Sequence, residues 1–449
     1  KPLKLVDAAL IVTSGMIGSG IFIVSADISR TLGGPGWLLL AWVISGLMTV
    51  FAALSYGELA GMFPQAGGQY VYLKEAYNPL TGFLYGWSLF AVVQSGTIAA
   101  VAVAFAKFTG VLYEPFSEKN ILLTIGSFKI SAAQILAIFS VLLLTIINAR
   151  GINYGKLINR FFTSTKLIAL FGIIVLGIFF FANTEVWNNN MAHFWDHSTT
   201  TQNEDGSWSN NPLTSFGLVT AMGVALVGSL FSSDAWNNVT FIAGEIDEPK
   251  KNIPRSLLIG TFVVTLLYLL ANIAYLKLLP FFGSPTGTDV MSRGLQFPLN
   301  DRVGTAAATM IFSDKAAYIM AVLIMISTFG CNNGIVLASV RGYQSMAKDG
   351  LFFDKMKHNN KHGVPGFALW VQFAWASLLC LSGQYGNLLD FVMFAVMLFY
   401  IFTVAGIFIL RKKQPDTPRP YKAFGYPVIP AIYILLAVAF CVNLLIMKW

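Results

Sequence analysis

Long apolar stretches separated by short polar turns dominate the chain. Each runs for about 20 to 30 residues, the length that a helix rising ~1.5 Å per residue needs to cross a hydrocarbon layer of roughly 30 Å. Eleven spans follow, at 5–31, 36–62, 78–111, 131–149, 155–183, 213–244, 253–280, 315–346, 366–383, 387–411 and 426–446. The pattern predicts an all-α integral membrane protein, and no span resembles a cleavable signal.

Composition excludes an ordinary soluble protein. Of 449 residues, 56% are hydrophobic and only 11% are charged. The longest polar connections, 184–212 and 281–314, are too short to form a separate domain. The three cysteines, Cys331, Cys380 and Cys441, all fall inside apolar spans, so no disulfide framework is indicated.

The distribution of charge predicts the orientation in a cell membrane. If the N-terminus is cytoplasmic, the loops on that side hold 19 of the 29 Lys and Arg residues, and the opposite loop 184–212 has none. The positive-inside rule therefore favours a cytoplasmic N-terminus in the inner or plasma membrane. The net charge of +8 comes from basic residues scattered at helix ends, without the patch that nucleic-acid binding requires.

Two spans carry small and polar residues at mid-membrane. Span 1 reads "VTSGMIGSGIFIVSADI", and span 6 is interrupted by Ser232, Ser233 and Asp234. Glycine costs a helix about 1 kcal/mol relative to alanine, and Ser and Asp compete for backbone hydrogen bonds. Both spans are therefore predicted to break near their middle.

The two breaks lie about 214 residues apart, in the first and the sixth span. Paired interruptions in two five-helix halves indicate an inverted-repeat carrier with its site at the midplane. The alternative is that small residues only permit close helix packing. The carrier interpretation divides the chain into a first repeat at 1–183, an external loop at 184–212, a second repeat at 213–411, and a cytoplasmic loop with span 11 at 412–449.

A broken helix offers unpaired backbone groups as ligands. The N–H groups around Ser19, Gly20 and Ile21 would suit a carboxylate, whereas carbonyls near Ile17, Gly18 and Phe231 would suit an ammonium. An α-amino acid carries both groups on one carbon, which makes it the predicted substrate.

Four segments resemble one transporter family. They are "MIGSGIF" (16–22), "YGELAGMFPQAGGQYVYL" (56–73), "FSSDAWNNVTFIAGEIDEPKKNIPRSL" (231–257) and "TVAGIFILRKKQPDTPRPYK" (403–422). Together they are similar to the L-type amino acid transporters of the amino acid, polyamine and organocation superfamily, prokaryotic members in particular. The resemblance runs in order from span 1 to span 11.

The resemblance implies a leucine-transporter-like fold of five plus five helices, sodium-independent transport and exchange of amino acids. The family's unwound helix 1 matches residues 17–20, its gating aromatic matches Phe231, and its helix 5 lysine, which stands where sodium-coupled relatives bind an ion, matches Lys166. The family has twelve helices, so a further one is expected beyond the eleven spans. Animal members pair with a heavy chain through a cysteine after helix 3, and "LYEPFSEKN" (112–120) has none, so no disulfide-linked partner is expected.

Several residues keep alternative interpretations. Lys166 could donate to carbonyls freed in span 1, or extend its amine toward Arg160 and the cytoplasmic surface. Asp234 could select a cationic substrate, carry a proton, or cap the second half of span 6 around Trp236. Gln94 and Asn332 could line the pocket or bond neighbouring helices.

The predicted function is sodium-independent transport of small or medium neutral L-amino acids by alternating access, with obligatory exchange. A proton-coupled or cationic amino acid or polyamine transporter is the alternative, and a channel a more remote one. No nucleophile, acid and base converge as an enzyme would require. No cofactor is expected, because the pair His193 and His197 lacks the glutamate of a zinc protease signature and falls in a loop.

Overall fold

A computed structural model describes residues 2–125, 128–203, 205–382 and 385–448. Within them, nine helices are long and apolar enough to cross a membrane. These are Pro35–Met62, Pro79–Leu112, Ala132–Ala149, Phe161–Phe180, Ser215–Thr240, Pro249–Leu278, Ala316–Lys348, Leu389–Lys413 and Val428–Met447. Span 1 is split and span 9 is the 16-residue helix Gly366–Leu381, which accounts for the two other predicted spans.

Shorter elements connect the spans. The α-helices among them are Gln69–Ala76, Thr184–Ala192, Val290–Arg293 and Val303–Phe312. Short 3-10 helices cover Glu114–Phe116, Ala243–Glu245, Leu299–Asp301, Ser313–Lys315 and Asp354–Lys357. Two antiparallel hairpins are formed by β1 (Ile121–Ile125) with β2 (Phe128–Ser131) and by β3 (Ser198–Gln202) with β4 (Trp208–Pro212).

The connections hold more structure than the sequence indicated. Residues 184–212 were expected to be a polar loop, but they contain a helix and the second hairpin. The helix begins where the side chain of Asn183 accepts hydrogen bonds from the N–H groups of Glu185 and Val186. A cap and a short polar hairpin need no hydrophobic periodicity, so the apolar pattern gave no sign of either.

Both predicted breaks are present. The first half of span 1, Leu5–Met16, is followed by the 3-10 turn Gly20–Phe22 and the helix Val24–Leu32. In span 6 the helix Ser215–Ser232 ends, Ala235 adopts a left-handed φ of 65°, and the 3-10 helix Trp236–Thr240 begins. A left-handed alanine is uncommon, so tertiary contacts must hold this turn.

Spans at corresponding places in the two halves pack on each other. Span 2 packs along span 7, span 3 packs along span 8, and the first half of span 1 contacts the second half of span 6. Two five-helix repeats of opposite orientation would place their equivalent members together in this way. The arrangement brings both breaks to the centre of the bundle.

Candidate functional site

The two breaks approach each other at small residues. A Cβ at Gly20 would overlap the side chain of Ser232, and a Cβ at Gly15 would lie 3.0 Å from the carbonyl oxygen of Ala235. Glycine therefore has a packing role here as well as breaking the helix. The sequence left two interpretations open, a break in the helix and a close contact between helices. Both apply at these positions.

Tyr268 of span 7 joins the backbones of the two broken helices. Its hydroxyl lies 2.9 Å from the carbonyl oxygen of Met16 and 3.0 Å from that of Ser232. Two turns along, the Tyr275 hydroxyl donates to the carbonyl oxygen of Ile21 at 3.2 Å. Sequence reasoning missed both tyrosines. Their seven-residue spacing on one face of an apolar span was the available signal.

Lys166 meets the end of the first half of span 1. Its side chain is 1% exposed, and its ammonium donates to the carbonyl oxygens of Ser14 at 2.6 Å and Ile17 at 2.7 Å. The amine therefore points into the bundle rather than toward the membrane surface. Its hydrogen bonds are those of the first interpretation, while a role in transport stays a prediction.

Span 8 supplies further donors to the same carbonyls. The Ser327 hydroxyl lies 3.2 Å from the carbonyl oxygens of both Ile17 and Gly18, and the Cys331 thiol lies 3.0 Å from that of Gly15. The Ile17 oxygen thus faces both Lys166 and Ser327. The Ser327 hydroxyl has one hydrogen, so it donates to one of these two oxygens at a time. A contact between either oxygen and a substrate ammonium stays a prediction.

The second half of span 1 starts with backbone N–H groups at the break. Intrahelical hydrogen bonding resumes where Phe22 donates to the Ser19 oxygen and Ile23 donates to the Gly20 oxygen, both at 3.0 Å. The N–H groups of Ser19, Gly20 and Ile21 belong to this first turn, whose donors have no partner within a helix. They form the end of a helix at which an anion is stabilised.

The end of the first half of span 6 lies beside that turn. Phe231 is half-buried, and its carbonyl oxygen accepts from the Asp234 N–H at 3.2 Å. Ser232 turns its hydroxyl back to the carbonyl oxygen of Gly228 at 2.7 Å, and Ser233 is buried. A substrate would therefore meet the backbone of Ser232 more readily than its hydroxyl.

Asp234 is held by a residue that the sequence did not single out. The hydroxyl of Tyr400, in span 10, donates to its carboxylate at 2.6 Å. The helix Trp236–Thr240 begins at Ala235 with no side-chain cap. The carboxylate therefore contacts span 10 in this structure, beside the left-handed turn at Ala235, and its role in capping or in substrate binding stays a prediction.

Two small cavities flank this carboxylate. The larger has a volume of about 20 Å³, and the smaller, of about 10 Å³, includes Ser233 and Tyr433. Both are lined by Asp234 and Tyr400. The larger one lies between spans 3, 6 and 10, next to the break in span 6.

Gln94 and Asn332 have different surroundings in the structure. Gln94 lines the larger cavity and donates to the Asn238 side chain at 2.9 Å. Asn332 donates to the carbonyl oxygen of Ile98 at 3.2 Å, a bond between spans 8 and 3, and is not among the residues that line either cavity.

Side chains beside the larger cavity form a chain of hydrogen bonds. Asn237 donates to Gln69 at 3.1 Å, and Gln69 donates to the Thr403 hydroxyl at 2.9 Å. Gln69 and Asn237 also line the larger cavity. These residues were missed because they fall in a short helix after span 2 and in the second half of span 6, where neither periodicity nor a break marks them.

Ion pairs link the ends of the two broken spans to neighbouring segments of the protein. On the side of the N-terminus, Glu245 pairs with Arg341 at 2.9 Å, and Leu3 donates from its N–H to the Glu245 carbonyl oxygen at 2.8 Å. On the other side, Arg30 pairs with Asp301 at 2.7 Å. Both ends of the site are thus bridged in the same structure.

Metal ligands do not gather around the site. Among the described residues, no group of three His, Cys, Asp or Glu side chains has the arrangement of a metal site. His193 pairs with Asp196 at 2.8 Å in an exposed turn, away from the breaks.

Known proteins are similar to this sequence over nearly its whole length. The serine/threonine exchanger SteT of Bacillus subtilis is 28% identical over 437 residues, covering 97% of this chain and 89% of its own. The large neutral amino acids transporter small subunit 2 of Homo sapiens is 29% identical, covering 97% and 74%. The b(0,+)-type amino acid transporter 1 of Mus musculus is 25% identical, covering 97% and 81%. Residues 3–448 match the sequence profile described as amino acid permease, and the chain belongs to that family of multi-pass membrane transporters.

Proposed function

We propose that this protein exchanges small or medium neutral L-amino acids across the cell membrane, without sodium, by alternating access. Amino acid transport follows from the family and from relatives that are amino acid transporters by name, and one of these relatives, SteT, is an exchanger by name. The substrate class, the obligatory character of exchange and the cytoplasmic position of the N-terminus are the proposed parts.

A single observation carries the proposal: the end of one half-helix and the start of another meet at Gly20 and Ser232. The N–H groups at Ser19, Gly20 and Ile21 would hold the substrate carboxylate. The carbonyl oxygens of Gly18 and Phe231 would accept from its ammonium. All amino acids share these two groups, so the backbone selects the class and the cavity beside Asp234 selects the side chain.

Independence from sodium rests on Lys166. Its ammonium already donates to the Ser14 and Ile17 oxygens, which a bound cation would otherwise have to satisfy. A covalently attached positive charge at this place removes the need for an ion that enters with the substrate.

The bridges at the two ends fit alternating access. Opening toward the N-terminal side requires Glu245 to separate from Arg341, and opening toward the other side requires Arg30 to separate from Asp301. If substrate binding is needed for each rearrangement, the empty carrier returns slowly and exchange becomes obligatory. Phe231, half-buried beside the break, is the proposed gate on the side away from the N-terminus.

Cationic substrates are the second candidate, because the Asp234 carboxylate lines both cavities and its observed hydrogen-bond partner is the neutral Tyr400 hydroxyl. An arginine or lysine side chain could meet it there. The neutral class is preferred because the larger cavity is otherwise lined by uncharged side chains.

Counterflow in proteoliposomes tests the proposal. Vesicles loaded with serine, leucine, arginine or glutamate, or left empty, are assayed for uptake of labelled serine in sodium and in choline buffer. We expect saturable uptake that depends on internal neutral amino acid and is equal in both buffers. Uptake into empty vesicles without trans-stimulation would indicate a channel, and sodium stimulation would contradict the role of Lys166. Arginine as the best substrate, lost in Asp234→Asn, would establish the second candidate.

A further inference from the structure

The two antiparallel hairpins on the side opposite the N-terminus differ in the polarity of their side chains. The pair β3–β4 is built from "STTTQ" and "WSNNP", residues suited to water. The strand β1 reads "ILLTI", and its hairpin with β2 lies between span 3 and span 4. One hairpin is therefore polar and the other strongly apolar.

The apolar side chains of β1 and of the turn that precedes it are exposed. Tyr113, Phe116, Ile121, Leu122 and Leu123 have exposed fractions between 39% and 58%. Three of them are consecutive in a strand, so both of its faces present apolar groups. A cluster of this kind marks a surface that another apolar phase or molecule covers.

The start of this hairpin lies level with the ends of the membrane helices. Span 3 ends at Leu112, and the next turn folds back until a Cβ at Gly110 would lie 3.0 Å from the Cα of Ser117. Asn120 accepts at its carbonyl oxygen from the N–H of Ala132, the first residue of span 4, at 2.9 Å. The segment that leads into the apolar strand thus packs against the ends of spans 3 and 4.

The apolar surface continues down span 4. Ile135, Phe139 and Leu143 are spaced by four residues, form one stripe, and are 47%, 58% and 40% exposed. A membrane span with such a stripe faces lipid. Charged side chains border the hairpin and would lie at the level of the headgroups: Glu114, Glu118, Lys119 and Lys129, all exposed.

We propose that residues 113–125 and 128–131 form an interfacial anchor that inserts the side chains of Tyr113, Leu122 and their neighbours into the adjacent leaflet of the bilayer. The occupant of the apolar surface is phospholipid, because the surface is continuous with the lipid-facing stripe of span 4 and begins at the helix ends. Aromatic residues such as Tyr113 and Phe116 favour this depth. The anchor would hold spans 3 and 4 still in the membrane while spans 1 and 6 rearrange.

Nitroxide labelling tests the anchor. Leu122→Cys and, as the matched control in the polar hairpin, Asn210→Cys are labelled and reconstituted in phosphatidylcholine vesicles. The three natural cysteines are buried, and the unsubstituted chain gives their background. Collision with oxygen, which concentrates in lipid, is compared with collision with a water-soluble nickel complex.

We expect the oxygen-to-nickel accessibility ratio at position 122 to exceed that at 210 at least fivefold. Equal ratios would overturn the anchor. Short distances between labels at position 122 in two copies, in dilute vesicles, would instead assign the surface to a second copy and also overturn it. If the 122 variant does not fold, Tyr113→Cys gives the same comparison. The test is independent of transport activity.

Discussion

The Tyr400 hydroxyl donates a 2.6 Å hydrogen bond to the Asp234 carboxylate and so joins span 10 to the break in span 6. The two residues are 166 positions apart in the chain. Each of the two residues lines both cavities.

We expect Tyr400→Phe to lower serine exchange about tenfold. The carboxylate would lose its donor, and a hydrogen bond to such a group contributes ~1.5 kcal/mol or more, close to a factor of ten. The measurement is the initial rate of exchange in proteoliposomes at matched protein content. Tyr318→Phe, at a tyrosine that is 59% exposed, is the control and should retain the wild-type rate. Equal rates in the two variants would mean that the bond has no part in transport.

Removing the Lys166 ammonium should impair exchange strongly. In Lys166→Met the oxygens of Ser14 and Ile17 lose donors at 2.6 and 2.7 Å, while Ser327 remains beside Ile17, and a buried group left unsatisfied costs about 1–3 kcal/mol. We expect at least a tenfold lower rate with normal insertion, checked by size-exclusion chromatography. Lys315→Met, at an exposed position, supplies the control. A fully active Lys166→Met would exclude the lysine from the mechanism.

Glu58 connects two of the four segments that resemble the transporter family, 56–73 and 403–422. Its buried carboxylate accepts from Arg411 at 2.7 and 3.0 Å and from the Ala423 N–H at 2.6 Å, with Arg419 at 3.3 Å. We expect Glu58→Gln to lower the thermal midpoint in detergent by several degrees, because breaking a buried pair costs about 3–5 kcal/mol. The exposed Glu185→Gln should not shift it.

Combining substitutions separates the contact from general damage at this cluster. If Glu58 and Arg411 stabilise the protein through each other, the double variant Glu58→Gln with Arg411→Gln loses less stability than the sum of the two single variants. Additive losses would show that the two side chains act separately.

Charge reversal at the N-terminal end should be rescued by its complement. Glu245→Arg places two cations at the contact with Arg341, which is only 11% exposed, so we expect exchange to fall more than tenfold. Adding Arg341→Glu restores the opposite charges and should recover at least part of the rate. Kinetics of exchange from that side of the membrane provide the measurement.

An exposed ion pair gives the matched control for that rescue. Glu248 and Lys251 lie nearby at 3.2 Å but are 61% and 55% exposed, so water screens them. Reversal of Glu248 alone should leave exchange nearly unchanged. Absence of rescue at the half-buried pair of Glu245 and Arg341, with this control intact, would contradict its role in closing the site.

The sequence by itself determined the spans, the two breaks and the class of ligand, because each depends on local chemistry. Hydrocarbon requires about 20 apolar residues per helix, and Gly18, Ser19, Ser233 and their neighbours do not continue one. The buried lysine could be singled out for the same reason: its charge is costly at mid-membrane.

The tertiary structure decided which groups satisfy those exposed ends. Tyr268, Ser327 and Tyr400 lie in ordinary apolar spans, and only the packing of spans 7, 8 and 10 around the breaks brings their hydroxyls to the backbone and to Asp234. A hydroxyl in a helix can bond its own backbone or a neighbour with similar ease. The partner is therefore set by distances between distant segments, which no local pattern encodes.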